Sequence, residues 1–187
     1  VGLTGIIIGA LIGILLGLIS GYFGGWLDSF ISWFNDVLMA FPDILLALAI
    51  IAILGPGINN AMLAIGISFI PSFMRLTRSS VLSLREMTYI EAAKALGSSD
   101  SRILLKHILP NSIRTLLVLI TLGIGSSILA GAALNFLGLG AEPPTAEWGA
   151  MLNAGMKYVR QAWWLTFFPG LGIFLAVVSI NLLGDAV

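Results

Sequence analysis

Apolar residues run through this chain in long blocks separated by short polar clusters, and nowhere do they alternate with a period of two. A helix needs about 20 mainly apolar residues to cross a hydrocarbon core of about 30 Å. Five blocks meet or approach that length, at residues 3–26, 36–54, 60–76, 113–137 and 163–183. The missing alternation argues against a membrane β-barrel. The pattern therefore predicts an all-α polytopic membrane bundle of five spans, with an outer turn at 55–59 and an inner turn at 28–36. Pro42 and Pro71 fall near span ends or inside spans, where a lost backbone donor can kink a helix.

Composition reinforces the membrane reading. Of 187 residues, 58% are hydrophobic and 10% charged, against about a quarter charged in an average soluble domain. There is no cysteine and a single histidine, His107, which excludes a disulfide framework, a thiolate nucleophile and a multi-histidine metal site. A formal net charge of zero argues against a general nucleic-acid partner.

The charges are unevenly placed. Arg75, Arg78, Arg85, Lys94, Arg102, Lys106 and Arg114 fall between the third and fourth spans, and only Lys157 and Arg160 lie elsewhere. The positive-inside rule puts the loop at 79–111 in the cytoplasm. Alternation then places residue 1, the 55–59 turn and the 138–162 segment outside, and the 28–36 turn and residue 187 inside. The 28–36 turn carries no basic residue, but seven cations in one loop outweigh it.

The first span carries Gly9, Gly13, Gly17, Gly21 and Gly25 at a spacing of four, which lines one helix face with glycine. Such a face lets a neighbouring backbone approach closely, so a packing seam is expected; lining of a pathway is the alternative.

The cytoplasmic loop holds EAAKALGSSDSRILLKHILPN, residues 91–111. Residues 89–96 favour a short helix, Gly97 a left-handed C-cap, and Ser98 or Ser99 an N-cap for a second helix with Asp100 in its first turn. Pro110 is expected to end that helix before the next span. The result is a protruding helix-turn-helix in which Ala92 and Ala93 are small enough for a partner's cleft to close around the backbone, with Glu91 as a rim contact.

With Glu91, Ala92, Ala93, Gly97, Leu109 and Pro110 at this spacing, the run resembles the EAA loop of binding-protein-dependent ABC importer permeases; His107 stands where the usual pattern has isoleucine. LISGYFGGWLD at 18–28, NFLGLGAEPPTAEWGAML at 135–152 and WWLTFFPGLGIFLAVVSINLLGDAV at 163–187 resemble the second permease of dipeptide, oligopeptide and nickel systems. The resemblance implies a single type-1 permease domain over residues 1–187, lacking the family's first N-terminal span, the large external segment after it and the charged tail. It also implies a multi-pass protein of a prokaryotic cytoplasmic membrane that works by alternating access. The implied partners are a second homologous permease, two cytoplasmic ABC ATPases docked on the EAA loops and an external substrate-binding protein. Di- or oligopeptides are the expected cargo, with nickel or another small solute as the alternative.

No Lys follows a Gly, so a GxxxxGK phosphate loop is absent from the sequence. ATP hydrolysis is expected in partner subunits, and the chain itself is read as a non-enzyme with no cofactor. Glu91 reads either as the contact that receives the ATPase's movement or as a solvated acid near a helix start. His107 reads as a packed or interfacial side chain, or as a proton-sensitive contact.

Asp43, Asn135 and Asn181 are polar groups at or near membrane depth and are candidates for lining the pathway. Arg75 and Arg78 mark the cytoplasmic interface, their stems snorkelling toward headgroups. Pro143, Pro144, Glu147 and Trp148 are candidates for meeting the binding protein; a re-entrant or lid helix anchored by Trp residues is the competing reading. A channel or secondary transporter would need intramembrane acids paired with bases, and residues 116–136 and 163–183 carry no charge. A purely structural scaffold is the remaining alternative.

Overall fold

The computed structural model describes residues 2–141 and 144–185, and among these every regular element is helical. The first helix, α1 (Gly2–Phe23), is apolar on all sides and ends where Gly24 and Gly25 both take left-handed backbone angles, φ +66° and +61°. Only glycine adopts that region without steric cost, so the chain turns sharply there into α2 (Gly25–Met39).

Helix α2 corrects the inner turn expected at 28–36. Asp28, Ser32 and Asp36 read as turn residues along the chain, but Trp26, Phe30, Trp33 and Phe34 recur at helical spacing on the other side of the same segment and are exposed. Asp28 and Asp36 are paired with Arg78 and Arg75 of a later helix. Asp28 is shielded by its partners and Asp36 pairs at the surface, so neither side chain stops the helix. The break comes later, at Pro42, where α2 and α3 (Asp43–Leu54) meet at 92°.

α4 (Ile58–Arg85) runs for 28 residues with Pro71 inside it. α5 (Thr88–Ala95) and α6 (Asp100–Ile103) form the cytoplasmic loop. A π turn at Leu104–Ile108 then joins α6 to α7 (Leu109–Phe136) without a break, giving 37 continuous helical residues. Pro110 therefore does not end the second loop helix as expected. It sits in the first turn of α7, just after the wider turn in which the Leu109 N–H bonds back to the Leu104 carbonyl. A π bulge of this kind accommodates the missing proline donor. The Asn111 and Ser112 side chains add donors to the carbonyls of His107 and Ile108, at 2.5 and 3.0 Å. α8 (Trp148–Met156) is a short helix ahead of the last long one, α9 (Trp164–Asp185).

Among the described residues four helices are long and apolar enough to cross a membrane: Gly2–Phe23, Ile58–Arg85, Asp100–Phe136 and Trp164–Gly184. The bent pair α2–α3 makes a fifth when it is taken as one broken span. The expected all-helical membrane bundle is thus the observed one, with four spans, or five when the bent α2–α3 pair is counted as the second.

The tightest packing is between α1 and α4. A Cβ atom placed on Gly9, Gly13 or Gly17 would come within 2.6 Å of the carbonyl oxygen of Gly66, Ile70 or Met74 in turn. Both series step by four residues, so glycines of one helix face carbonyls of the other over three successive turns. Gly21 continues the seam against Val81 and Arg78, whereas Gly25 lies beyond it in open space. The glycine face is therefore a structural seam, and its partners show that α1 and α4 run parallel. α7 returns antiparallel, with Ile6 against Gly123 and Gly2 against Ser127, and α9 runs antiparallel to α7 through Asn181 against Gly125. These directions match the alternation expected from the charges. The Gly57 N–H donates to the Leu139 carbonyl at 3.2 Å, which brings the α3–α4 turn and the end of α7 together at the outer end.

Candidate functional site

At the inner end of the bundle, an apolar cluster supports the cytoplasmic loop. Leu18 of α1, Val81 of α4, Ile90 of α5, Ile103 of α6 and Ile108 of the π turn are buried together, with Ala93 and Leu109 packed against them. Ile90 anchors α5 by its inner face. That orientation leaves Glu91, Ala92, Ala95 and Leu96 on the outer face, all exposed.

The end of α5 is set by backbone bonding. The Gly97 N–H donates to the Lys94 carbonyl at 2.9 Å and the Ser98 N–H to the Ala93 carbonyl at 3.0 Å, while Gly97 itself is left-handed at φ +78°. These two bonds and that conformation make a Schellman cap, so the expected role of Gly97 as C-cap holds. Ser99 occupies the N-cap position of α6, though its side chain makes no capping bond.

Six residues expected to act in coupling thus divide in two. Glu91, Ala92, Gly97 and Pro110 are exposed; Ala93 and Leu109 form part of the apolar underside. Glu91 makes no ion pair among the described residues. His107 is half-buried with its ring 6.4 Å from that of Tyr89.

Sequence reasoning missed Leu96, which is 86% exposed at the tip of the loop. The available signal was an apolar residue directly before the capping glycine in an otherwise charged loop. It also missed that the α1 terminus braces the loop: the Tyr22 hydroxyl donates to Asp100 Oδ1 at 2.6 Å. Residues that far apart in sequence leave no local signal.

A polar junction lies beside this site. Arg78 holds Asp28 through two parallel bonds, Nε to Oδ1 at 2.6 Å and Nη2 to Oδ2 at 2.7 Å, and Ser20 and Ser32 also donate to Asp28. Arg75 pairs with Asp36 at 3.1 Å on the surface, and Arg85 donates to the Gly21 carbonyl at 3.0 Å. Arg75 and Arg78, read as interface markers, also tie α2 to α4, and Arg85 ties α1 to α4.

The three pathway candidates are not brought together. Asp43 is exposed at the start of α3 and borders a cavity of about 180 Å³ with Ser68, Ser126 and Leu134. Asn135 is buried, its Nδ2 donating to the Gly131 carbonyl at 2.9 Å and its Oδ1 accepting from the Ala141 N–H at 2.5 Å, so it ties the end of α7 to the segment after it. Asn181 lies against Gly125, with a buried Oδ1 that has no hydrogen-bond partner among the described residues.

At the outer end, Pro143 lies outside the described residues and Pro144 is exposed in a turn. Glu147 at the N-cap position and Trp148 at the start of α8 border a cavity of about 320 Å³ between α1, α7 and α9. Gly149 lets α8 lie directly on the α7 backbone at Ala132.

Residues 13–187 match the family described as the binding-protein-dependent transport system inner membrane component. The chain belongs to this family. Among curated relatives of this permease, the dipeptide transport system permease protein DppC of Alkalihalophilus pseudofirmus is 52% identical over 160 residues, covering 86% of this chain and 53% of the relative. The glutathione transport system permease protein GsiD of Escherichia coli O157:H7 is 50% identical over 184 residues, 98% of this chain and 61% of that protein. The GsiD protein of Salmonella typhimurium reaches 53% with the same coverage. The permease chain thus spans between about half and three fifths of the length of these relatives.

The fold is also that of chains in solved ABC transporter structures. An inward-facing structure of the MetNI methionine ABC transporter superposes with a TM-score of 0.74 at 20% identity, covering 99% of this chain and 90% of that one. An amino acid ABC transporter crystallised with histidines gives 0.73 at 15% identity, covering 99% and 86%.

Proposed function

We propose that this permease is a subunit of an ATP-driven importer of short peptides, forming half of a pathway that opens alternately to the two sides of the membrane. Residues 1–187 act as one permease domain, and a second homologous permease completes the pathway. The observation that carries the reading is the Schellman-capped helix α5, whose anchored inner face leaves Glu91, Ala92 and Leu96 bare at the cytoplasmic end of the bundle. An exposed apolar tip ringed by charge suits insertion into the cleft of a partner protein.

Two cytoplasmic ATPase subunits are the partners that fit this knob, since the sequence holds no phosphate loop of its own. Short peptides are the favoured cargo because the relatives carry the names dipeptide and glutathione permease. An external binding protein delivers the peptide near α8, where Pro143, Pro144, Glu147 and Trp148 are the proposed contacts. Asp43 is the pathway candidate best supported by position, because it faces a cavity bordered by two serines between α3, α4 and α7. Asn135 and Asn181 remain secondary candidates for the pathway in the paired assembly.

The test is reconstitution of the complete permease pair with its ATPases and binding protein. Peptide-stimulated ATP hydrolysis and uptake that both disappear in E91K are the expected result. Flux through the permeases alone, without ATPases, would replace the importer by a channel or secondary transporter.

A further inference from the structure

The last turn of α1 meets both helices of the cytoplasmic loop through one side chain. The Tyr22 hydroxyl donates to Asp100, the first residue of α6, and the Lys94 ammonium of α5 stands 5.3 Å from the centre of the Tyr22 ring. The same side chain packs against the cluster that holds Ile90, Ile103 and Ile108. Tyr22 therefore spans the Gly97 turn from below, with a hydrogen bond to a carboxylate on one side and a cation over its ring on the other.

What Tyr22 is attached to gives this contact its consequence. α1 is locked to α4 by the glycine seam, in which the backbone of α1 lies directly against carbonyl oxygens and Cβ atoms of α4. Close-packed elements of this kind shift as bodies and do not deform smoothly. A displacement of the loop must either carry α1 and α4 with it or break the contacts at Tyr22 and in the apolar cluster with Leu18 and Val81.

We propose that Tyr22 is the positioning residue that keys the docking loop to the α1–α4 body, so that movement received by α5 and α6 is delivered to both helices together. The inference rests on the reading of α5 and α6 as the ATPase-docking knob. Phe23, the next residue, does not share the role: it is exposed and touches Tyr22 edge to face.

The experiment uses the complete importer in vesicles, with Y22F, Y22A, D100A and Y22F/D100A compared at equal complex abundance and E91K as the docking control. Labelled glutathione and alanylalanine taken up per ATP hydrolysed is the first readout; hydrogen exchange across residues 88–103 in the assembled complex is the second. Y22A is expected to lower uptake per ATP about fivefold, the low end of a coupling contact, and to speed exchange in 88–103. Y22F keeps the ring and is expected to lose less. D100A should add little to Y22F, because both remove one shared bond.

Wild-type uptake per ATP and wild-type exchange in Y22A, in a complex that E91K uncouples, would overturn the Tyr22 proposal while leaving the docking reading intact. If E91K also leaves association and uptake per ATP unchanged, the docking reading fails first and the proposal falls with it. The exchange readout needs no substrate, so unchanged protection across 88–103 in Y22A overturns the proposal whatever peptide is carried.

Discussion

Asp28 and Arg78 lie side by side in a two-bond fork, 2.6 and 2.7 Å, that fastens the start of α2 to the inner end of α4. Both side chains are largely shielded, and the two serine hydroxyls complete the carboxylate's bonding. Removing the guanidinium would leave Asp28 with hydroxyl donors only. R78A is expected to cost about 1.5–3 kcal/mol, the range for a hydrogen-bonded charge. R78K should cost less than R78A yet more than nothing, because an ammonium cannot reproduce the planar fork. Thermal unfolding in detergent, followed by tryptophan fluorescence, measures the order; equal midpoints for wild type and R78A would contradict it.

The glycine seam predicts a contrast between Gly13 and Gly25, two members of one four-residue series whose environments differ. At Gly13 a methyl group would meet the Ile70 carbonyl and the Phe73 Cβ, both at 2.6 Å, so G13A must push two backbones apart, at about 1–3 kcal/mol. At Gly25 nothing lies within 4 Å, and G25A costs only the left-handed strain of φ +61°, about 1–2 kcal/mol. The two are told apart by a cysteine placed at buried Thr77, which lies across the seam in a chain with no cysteine of its own. Its alkylation should speed up in G13A and stay slow in G25A.

Gly97 has space around it but needs its left-handed angle. Asn tolerates that region far better than a β-branched residue. G97N is therefore expected to keep the cap and to co-purify with the ATPases at close to the wild-type level, while G97V swings α6 relative to α5 and reduces recovery of the complex. Equal recovery of both would mean that the cap geometry does not set docking.

Asn135 offers a prediction independent of any partner. N135A removes the acceptor for the buried Ala141 N–H and the donor to the Gly131 carbonyl, a loss of about 1–3 kcal/mol in local stability. Hydrogen exchange at Ala141 should accelerate while exchange in α4 is unchanged. Continued protection of Ala141 would show that another group holds it.

Much of this architecture is determined by the sequence itself. Uninterrupted apolar blocks and seven clustered cations leave few options for a chain in a bilayer, because an unpaired backbone in hydrocarbon forces helices and the charge bias orients them. The capping glycine of the loop and the kink at Pro42 were legible for a similar reason: each depends on residues adjacent in the chain. So was the close-packing face of α1, since a four-residue glycine spacing marks one side of a helix whatever lies opposite.

Tertiary structure alone decided what those local signals mean in combination. Asp28 and Asp36 look like turn residues until Arg78 and Arg75, some 40 to 50 positions away, are placed opposite them. Pro110 looks like a stop until a π turn absorbs its missing donor and joins the loop to a membrane span. Asn135 is a polar group at membrane depth with no local partner for its carbonyl oxygen until the chain folds back and presents the Ala141 N–H. In each case the preference of a residue is short-ranged, whereas the partner that satisfies its charge or hydrogen bond arrives only when distant helices pack.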